Sequence, residues 1–197
     1  MRVTELDSSM YPDAITGTPT ESHATRSQGT LHLSTIYRDL EEEALLRRKS
    51  DFTSEELAWY AAGGFIWERA FSMAFRDSVV NGGQDLVRPD EFELDGIVGS
   101  PDVIRVSDWT LIELKARWMS ARKLDQLEKY FWVELLQVRG YLKMIGATNC
   151  ELWIWFVCGD WRPPVPCVRG LALDFSQQEI DEAWGVVLAH ARRKGWL

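Results

Sequence analysis

Gly99-Ser100-Pro101-Asp102-Val103-Ile104-Arg105 and Thr110-Leu111-Ile112-Glu113-Leu114-Lys115 are two β-branched, apolar-rich runs separated by a short polar connection at Ser107-Asp108. If they pair as a hairpin about that connection, residues whose numbers sum to 215 face one another, and Asp102 lies opposite Glu113 with Cβ atoms about 5 Å apart. Lys115 projects from the same face as Glu113, and Leu114 points the other way into a core. Two opposed carboxylates destabilise a sheet unless a counter-charge joins them. A divalent cation resolves the conflict, and removing either carboxylate in metal-free buffer is then expected to relieve repulsion. The alternative reading is an ordinary exposed hairpin of mixed charge.

Working outward, residues 92–98, 102–106 and 110–115 read as three strands of a meander divided by turn residues. Upstream, Ser34 caps a helix with apolar positions Ile36, Leu40, Ala44 and Leu45 and with Glu41, Glu42 and Glu43 as solvated charges. Thr53 and Glu56 form a capping box that opens a second helix through Trp67, Ala70 and Phe71, interrupted at Gly63-Gly64. Downstream, Leu124, Leu127, Phe131, Leu135, Val138, Leu142 and Ile145 step by three and four, which predicts one long amphipathic helix from Arg122 to about Gly146. Residues 151–158 (ELWIWFVC) read as a strand buried on both faces, and Pro163, Pro164 and Pro166 as an irregular connector. Ser176 and Glu179 form another capping box, starting a last helix through Ile180, Trp184, Val187, Leu188 and Ala191.

With 197 residues, 46% hydrophobic and 26% charged, the chain has room for one compact domain and little more. Residues 1–28 are polar and without apolar period, so a disordered tail is expected there and a single domain over 29–197. The longest apolar run falls far short of a spanning helix and the first residues lack an apolar signal core, so the expectation is a cytoplasmic protein with no membrane partner. Cys150, Cys158 and Cys167 lack C-x-x-C spacing, which disfavours a disulfide framework or a zinc ribbon. The formal charge of -8 argues against non-specific polycation binding. Residues 115–143 nevertheless hold seven basic against three acidic side chains, a local excess suited to phosphates. Ten tryptophans are mostly core or interface anchors; Trp109 and Trp118, which bracket the lysine strand, are open either to base stacking or to packing.

Gly99-Ser100-Pro101-Asp102 with Glu113-Leu114-Lys115 resembles the motif of the PD-(D/E)XK nuclease superfamily. Gly64 to Glu68 (GFIWE) and Gln137 to Tyr141 (QVRGY) narrow the resemblance to its RecB-like and lambda-exonuclease-like branch. The four elements occur in the order of that branch and span about half the chain.

The resemblance implies an α/β fold with a restriction-endonuclease-like core: a mixed central sheet flanked by helices on both faces. It implies that Asp102, Glu113 and the backbone carbonyl of Leu114 bind the main metal, with Glu68 on that metal or a second one. Lys115 is then the catalytic base or water positioner. Mg2+ is the expected ion, with Mn2+ substituting, because every implied ligand is a hard oxygen. Gln137 and Tyr141, one turn apart, are expected to face the metal and the DNA, with Arg117, Lys129 and Lys143 on phosphates. The cysteine spacing does not fit the iron–sulfur cluster of some relatives. Asp95 before Gly96 is read as shaping a bulge or supporting the site, His32 as structural or as a metal ligand, and His190 as lacking metal-ligand spacing.

The implied activity is Mg-dependent hydrolysis of DNA phosphodiesters, exonucleolytic, in recombination, repair or end processing. The rivals are a structure-specific or restriction-type endonuclease on the same core, a DNA-binding module with a decayed site, and a non-catalytic partner of a recombination complex. A homo-oligomer belongs to the same analogy.

Overall fold

The computed structural model describes residues 1–6, 30–45, 66, 70, 86–157 and 167–197. In chain order the elements are β1 (Arg2–Leu6), β2 (Leu31–His32), α1 (Leu33–Leu45), β3 (Leu86–Val87), β4 (Phe92–Leu94), β5 (Ile97–Gly99), β6 (Val103–Arg105) and β7 (Thr110–Arg117). A 3-10 turn at Ala121–Gln126 leads into α2 (Leu127–Tyr130) and α3 (Trp132–Ile145), followed by β8 (Asn149–Phe156), β9 (Cys167–Asp174) and α4 (Gln177–Arg193). The architecture is α/β, a mixed sheet flanked by helices. Six strands run in the order β1-β9-β8-β7-β6-β3, and a second sheet has the order β2-β5-β4.

The β6–β7 ladder pairs Val103 with Ile112, Ile104 with Leu111 and Arg105 with Thr110, so the register is the one that sums to 215. β7 and β8 run parallel, which requires a crossover, and α2–α3 supplies it. Strand alternation then sorts the side chains. Leu111, Cys150, Leu152, Ile154, Phe156, Leu171 and Leu173 face α1, α3 and α4 in one large core. Val103, Ile112, Leu114 and Trp153 form a second cluster on the opposite face, to which no described helix contributes. The described helices whose packing is given, α1, α3 and α4, lie on one face of the sheet.

Several elements differ from the sequence expectation. Residues 92–98 are a tight hairpin rather than one strand, because Asp95 (φ 52°) and Gly96 (φ 77°) make a two-residue turn with both central residues left-handed. The long helix breaks at Phe131 (φ -125°, ψ 23°), while its end at Gly146, a left-handed cap, is where the periodicity places it. Ser34 lies inside the first turn of α1 rather than capping it, and the buried stripe is Leu33, Ile36 and Tyr37, with Ala44 exposed.

The first residues of the expected tail, Arg2–Leu6, are a strand paired antiparallel with β9. Backbone hydrogen bonds hold such an edge strand with little apolar burial, so composition does not reveal it. β9 itself is an unexpected strand. Its Gly170 interrupts the apolar pattern because a Cβ there would lie 2.9 Å from the Trp153 ring. The capping box at Ser176 and Glu179 starts α4 as expected. Residues 7–29 of the tail, the helix expected after Thr53 apart from Ile66 and Ala70, which are helical, Cys158 and the proline connector lie outside the described residues. Among the described residues no helix is long and apolar enough to cross a membrane.

Candidate active site

β7 carries several of the candidate residues. Leu111, Glu113, Lys115 and Arg117 share its helix-facing side, while Leu114, 5% exposed, points into the second cluster. On β8 the residues in register with Glu113, Lys115 and Arg117 are Leu152, Ile154 and Phe156, all fully buried. The site therefore has an apolar wall, which strengthens every charge interaction beside it. Glu113 is 1% exposed and is ion-paired with Lys115. Asp102, just before β6, turns its carboxylate onto the neighbouring strand, where Oδ2 accepts the Leu114 amide at 2.8 Å. Burial pulls the Lys115 pKa down, but the charges of Glu113 and Asp102 more than offset it, and the net shift is upward. Lys115 is an ammonium here.

Behind the carboxylates stands α3. Tyr141, 4% exposed, has its pKa pushed well up by burial and then by the charges of Glu113 and Asp102, so its hydroxyl stays protonated. Gln137 Nε2 donates to that hydroxyl at 3.0 Å. The helix comes this close because residue 99 is glycine: a Cβ there would sit 2.5 Å from Met144 Sδ and 3.1 Å from the Tyr141 ring. Tyr37 on α1 donates to the Leu136 carbonyl at 2.9 Å, clamping α1 to α3.

The fold thus brings Asp102, Glu113, Lys115, the Leu114 amide, Gln137 and Tyr141 together. It distributes the expected DNA-binding cations differently. Arg117 is ion-paired with Glu134, a carboxylate 1% exposed on α3. Lys129 donates to Gln126 Oε1 at 3.3 Å and stands 5.1 Å from the Tyr130 ring centroid. Lys143 donates to Asp181 on α4 at 2.8 Å. Two residues beyond Tyr141, it lies about 200° round the helix, away from the carboxylates. Glu68 lies outside the described residues.

The remaining candidates find structural partners. Asp95 accepts the Trp184 indole N–H at 2.8 Å, pinning the β4–β5 turn onto α4. Trp109 (φ 55°) donates to the Ile145 carbonyl at 2.9 Å, tying the β6–β7 connection to the end of α3. Trp118 is 45% exposed. His32 stands 3.9 Å from Glu91. His190 meets Asp39 at 2.7 Å, and with Glu43 these form the one cluster of metal-ligating type found among the described residues. Lys194 lies 2.7 Å from Asp39 and 2.8 Å from Glu43, so the positive charge those carboxylates need comes from within the chain.

Glu134 and Cys150 escape the sequence reading. Glu134 has a faint signal, an acid three residues before Gln137 on the same helical stripe. Cys150 has none, since its place beside Glu113 follows only from the β7–β8 register; burial, then Glu113, pushes its thiol pKa well up.

No family model matches the chain, and no curated protein does. Solved structures do. An alkaline exonuclease from Laribacter hongkongensis superposes with a TM-score of 0.52 at 14% identity, over 84% of this chain and 87% of that one. A phage-related exonuclease from Haemophilus somnus 129PT does so with a TM-score of 0.50 at 14% identity, over 80% of this chain and 78% of that one. At such identity the likeness is one of fold, and the fold they share with this chain is of the restriction-endonuclease-like type.

Proposed function

We infer that the chain is a divalent-metal-dependent nuclease that hydrolyses DNA phosphodiester bonds, acting from ends in recombination, repair or end processing. The observation that carries this reading is the pairing of Asp102 with the Leu114 amide, in the strand register that sets Glu113 and Lys115 beside it. A decayed site has no reason to retain a nearly fully buried glutamate, a second carboxylate and a lysine in that register, because burying charge is costly.

The donor set fits a hard cation. Asp102 and Glu113 offer carboxylate oxygens, the Leu114 carbonyl is the implied third ligand and Glu68 the implied fourth, a set suited to Mg2+ or Mn2+. When bound, the ion supplies charge stabilisation for the phosphate as negative charge develops. The chain's own residues do the rest. Lys115, an ammonium, orients the attacking water or stabilises charge on the phosphate, and Tyr141, kept protonated, is a hydrogen-bond donor fixed by Gln137. The fold similarity to two exonucleases supports the class.

The test is a digestion series with Mg2+ on linear, nicked and covalently closed circular DNA. Loss of linear and nicked DNA with the closed circle intact is the expected result. Cutting of the closed circle would make the protein an endonuclease on the same core, and no cutting by the parent, or equal cutting by Glu113→Gln, would end the nuclease reading.

A further inference from the structure

Along the helix-facing side of β7 the charges run Glu113, Lys115, Arg117, and α3 presents Tyr141, Gln137 and Glu134 on one stripe. Tyr141 feels Glu113 and Asp102, and Glu134 is ion-paired with Arg117, so the helix runs antiparallel to the strand with a polar seam between them. At the far end of that seam the partners are unequally buried: the Glu134 side chain is 1% exposed and that of Arg117 is 28% exposed. Arg117 also acts on the Lys115 ammonium as a neighbouring like charge, so it stands beside the catalytic lysine. Its Nε is buried and has no acceptor among the described residues, so only the remainder of the side chain, 28% exposed, is open to a ligand. A guanidinium has five N–H donors in a fixed fork, and Glu134 engages it through Nη2.

We propose that Glu134 is a positioning residue: it holds the Arg117 fork beside Lys115 with the exposed part of that side chain available to the DNA backbone, and by partly neutralising that cation it weakens the grip on phosphate so that DNA can leave. This rests on the nuclease reading, but its binding arm needs no cleavage. A carboxylate that merely pins α3 to β7 would, on losing its charge, loosen the site and leave DNA affinity unchanged or lower. A carboxylate that competes with phosphate for Arg117 gives the opposite sign.

The experiment measures binding of a fluorescent duplex over a range of salt in chelator, together with single-turnover cleavage in Mg2+. Glu134→Gln is expected to bind about fivefold tighter, with a salt slope steeper by about one, and to cut more slowly at saturating DNA because the fork loses its charged anchor. Arg117→Ala is expected to bind more weakly with a slope shallower by about one, and adding Glu134→Gln to it is expected to restore no affinity. The proposal falls if Glu134→Gln binds no tighter than the parent, or tightens binding equally without Arg117. Should Glu134→Gln fail to fold in a melting scan, Arg117→Lys keeps the charge without the fork: a parental salt slope with a rate about tenfold lower is expected, and a parental rate overturns the proposal. A parent that shows this binding pattern yet cuts no DNA ends the nuclease reading alone. A parent that cuts DNA while Glu134→Gln binds no tighter ends the role of Glu134 alone.

Discussion

The Leu114 amide donates to Asp102 Oδ2 at 2.8 Å, so the carboxylate at the head of β6 is anchored by the strand that carries Glu113 and Lys115. Asp102→Ala, Glu113→Ala and Lys115→Ala are each expected to lower single-turnover cleavage by at least about a hundredfold. The fold is expected to survive in all three, because none of these side chains belongs to either apolar cluster. Comparable activity in any one of them would remove it from the site.

The same geometry reverses one expectation from sequence. Opposed carboxylates alone would repel, and removing one would stabilise the metal-free protein. Lys115, however, is ion-paired with Glu113 and its charge answers both acids. Glu113→Gln therefore leaves a largely buried ammonium with half its compensation, and a fall in Tm of several degrees in chelator is expected. An unchanged or raised Tm would mean that Glu113 and Lys115 are not paired in solution.

Metal dependence is the expectation from the hard-oxygen donors. Mg2+ and Mn2+ should support cleavage, Ca2+ should bind without turnover because its geometry is looser, and excess chelator should stop the reaction. Binding is checked apart from activity: Ca2+ titration should raise the Tm of the parent, as any ligand of the native state does, and not that of the Asp102→Ala, Glu113→Ala double variant. Activity that persists in chelator would place the chemistry elsewhere.

What the sequence made legible is what local signals specify. The β6–β7 register follows from two runs and their spacing, the end of α3 from Gly146, and the start of α4 from Ser176 and Glu179. The β1–β9 pairing was not legible, since it joins Arg2 to Asp174 by backbone bonds between distant segments. Nor was the break at Phe131, where the apolar stepping of three and four runs unbroken because the segments on both sides pack into one core. Within the candidate site, the placing of Asp102 against the Glu113–Lys115 strand was legible because two runs and their spacing set the register. Glu134 was not, because an acid on a helix reads as solvated until the facing strand is known to bring Arg117.

Away from the site, Glu43 on α1 ties to Arg193 at 2.6 Å and Lys194 at 2.8 Å at the end of α4. Hydrogen bonds from Arg193, then Lys194, hold its pKa down to about 2. A carboxylate whose folded pKa is depressed contributes fully above its unfolded value near 4.5, and that contribution fades as pH falls toward 2. Glu43→Gln is expected to lower Tm by about 1–3 °C at pH 6, with the gap to the parent closing between pH about 4.5 and about 2. Melting scans across that range check it; a gap independent of pH would show that the charge of Glu43 does not hold the clasp.

The last prediction separates three residues of the crossover segment. Gln137 Nε2 donates to the Tyr141 hydroxyl at 3.0 Å, which leaves the tyrosine proton free to point toward the carboxylates or the reacting phosphate. Gln137→Ala removes that orienting bond, so the rate at saturating DNA should drop by about tenfold with affinity nearly unchanged, the mark of an interaction that strengthens in the transition state. Lys129 meets no carboxylate among the described residues, only Gln126 and the Tyr130 ring. As a phosphate contact it adds affinity by counterion release, and Lys129→Ala should weaken binding and flatten the salt slope by about one at a parental saturated rate. Lys143 differs from both: on the far side of α3 and occupied by Asp181, it should leave rate and slope alone when replaced by Ala. Single-turnover cleavage at several salt concentrations distinguishes the three. If Lys143→Ala flattens the slope as Lys129→Ala does, DNA reaches the α4 side of α3; if Gln137→Ala changes affinity and not rate, the Gln137–Tyr141 pair grips DNA without taking part in the chemistry.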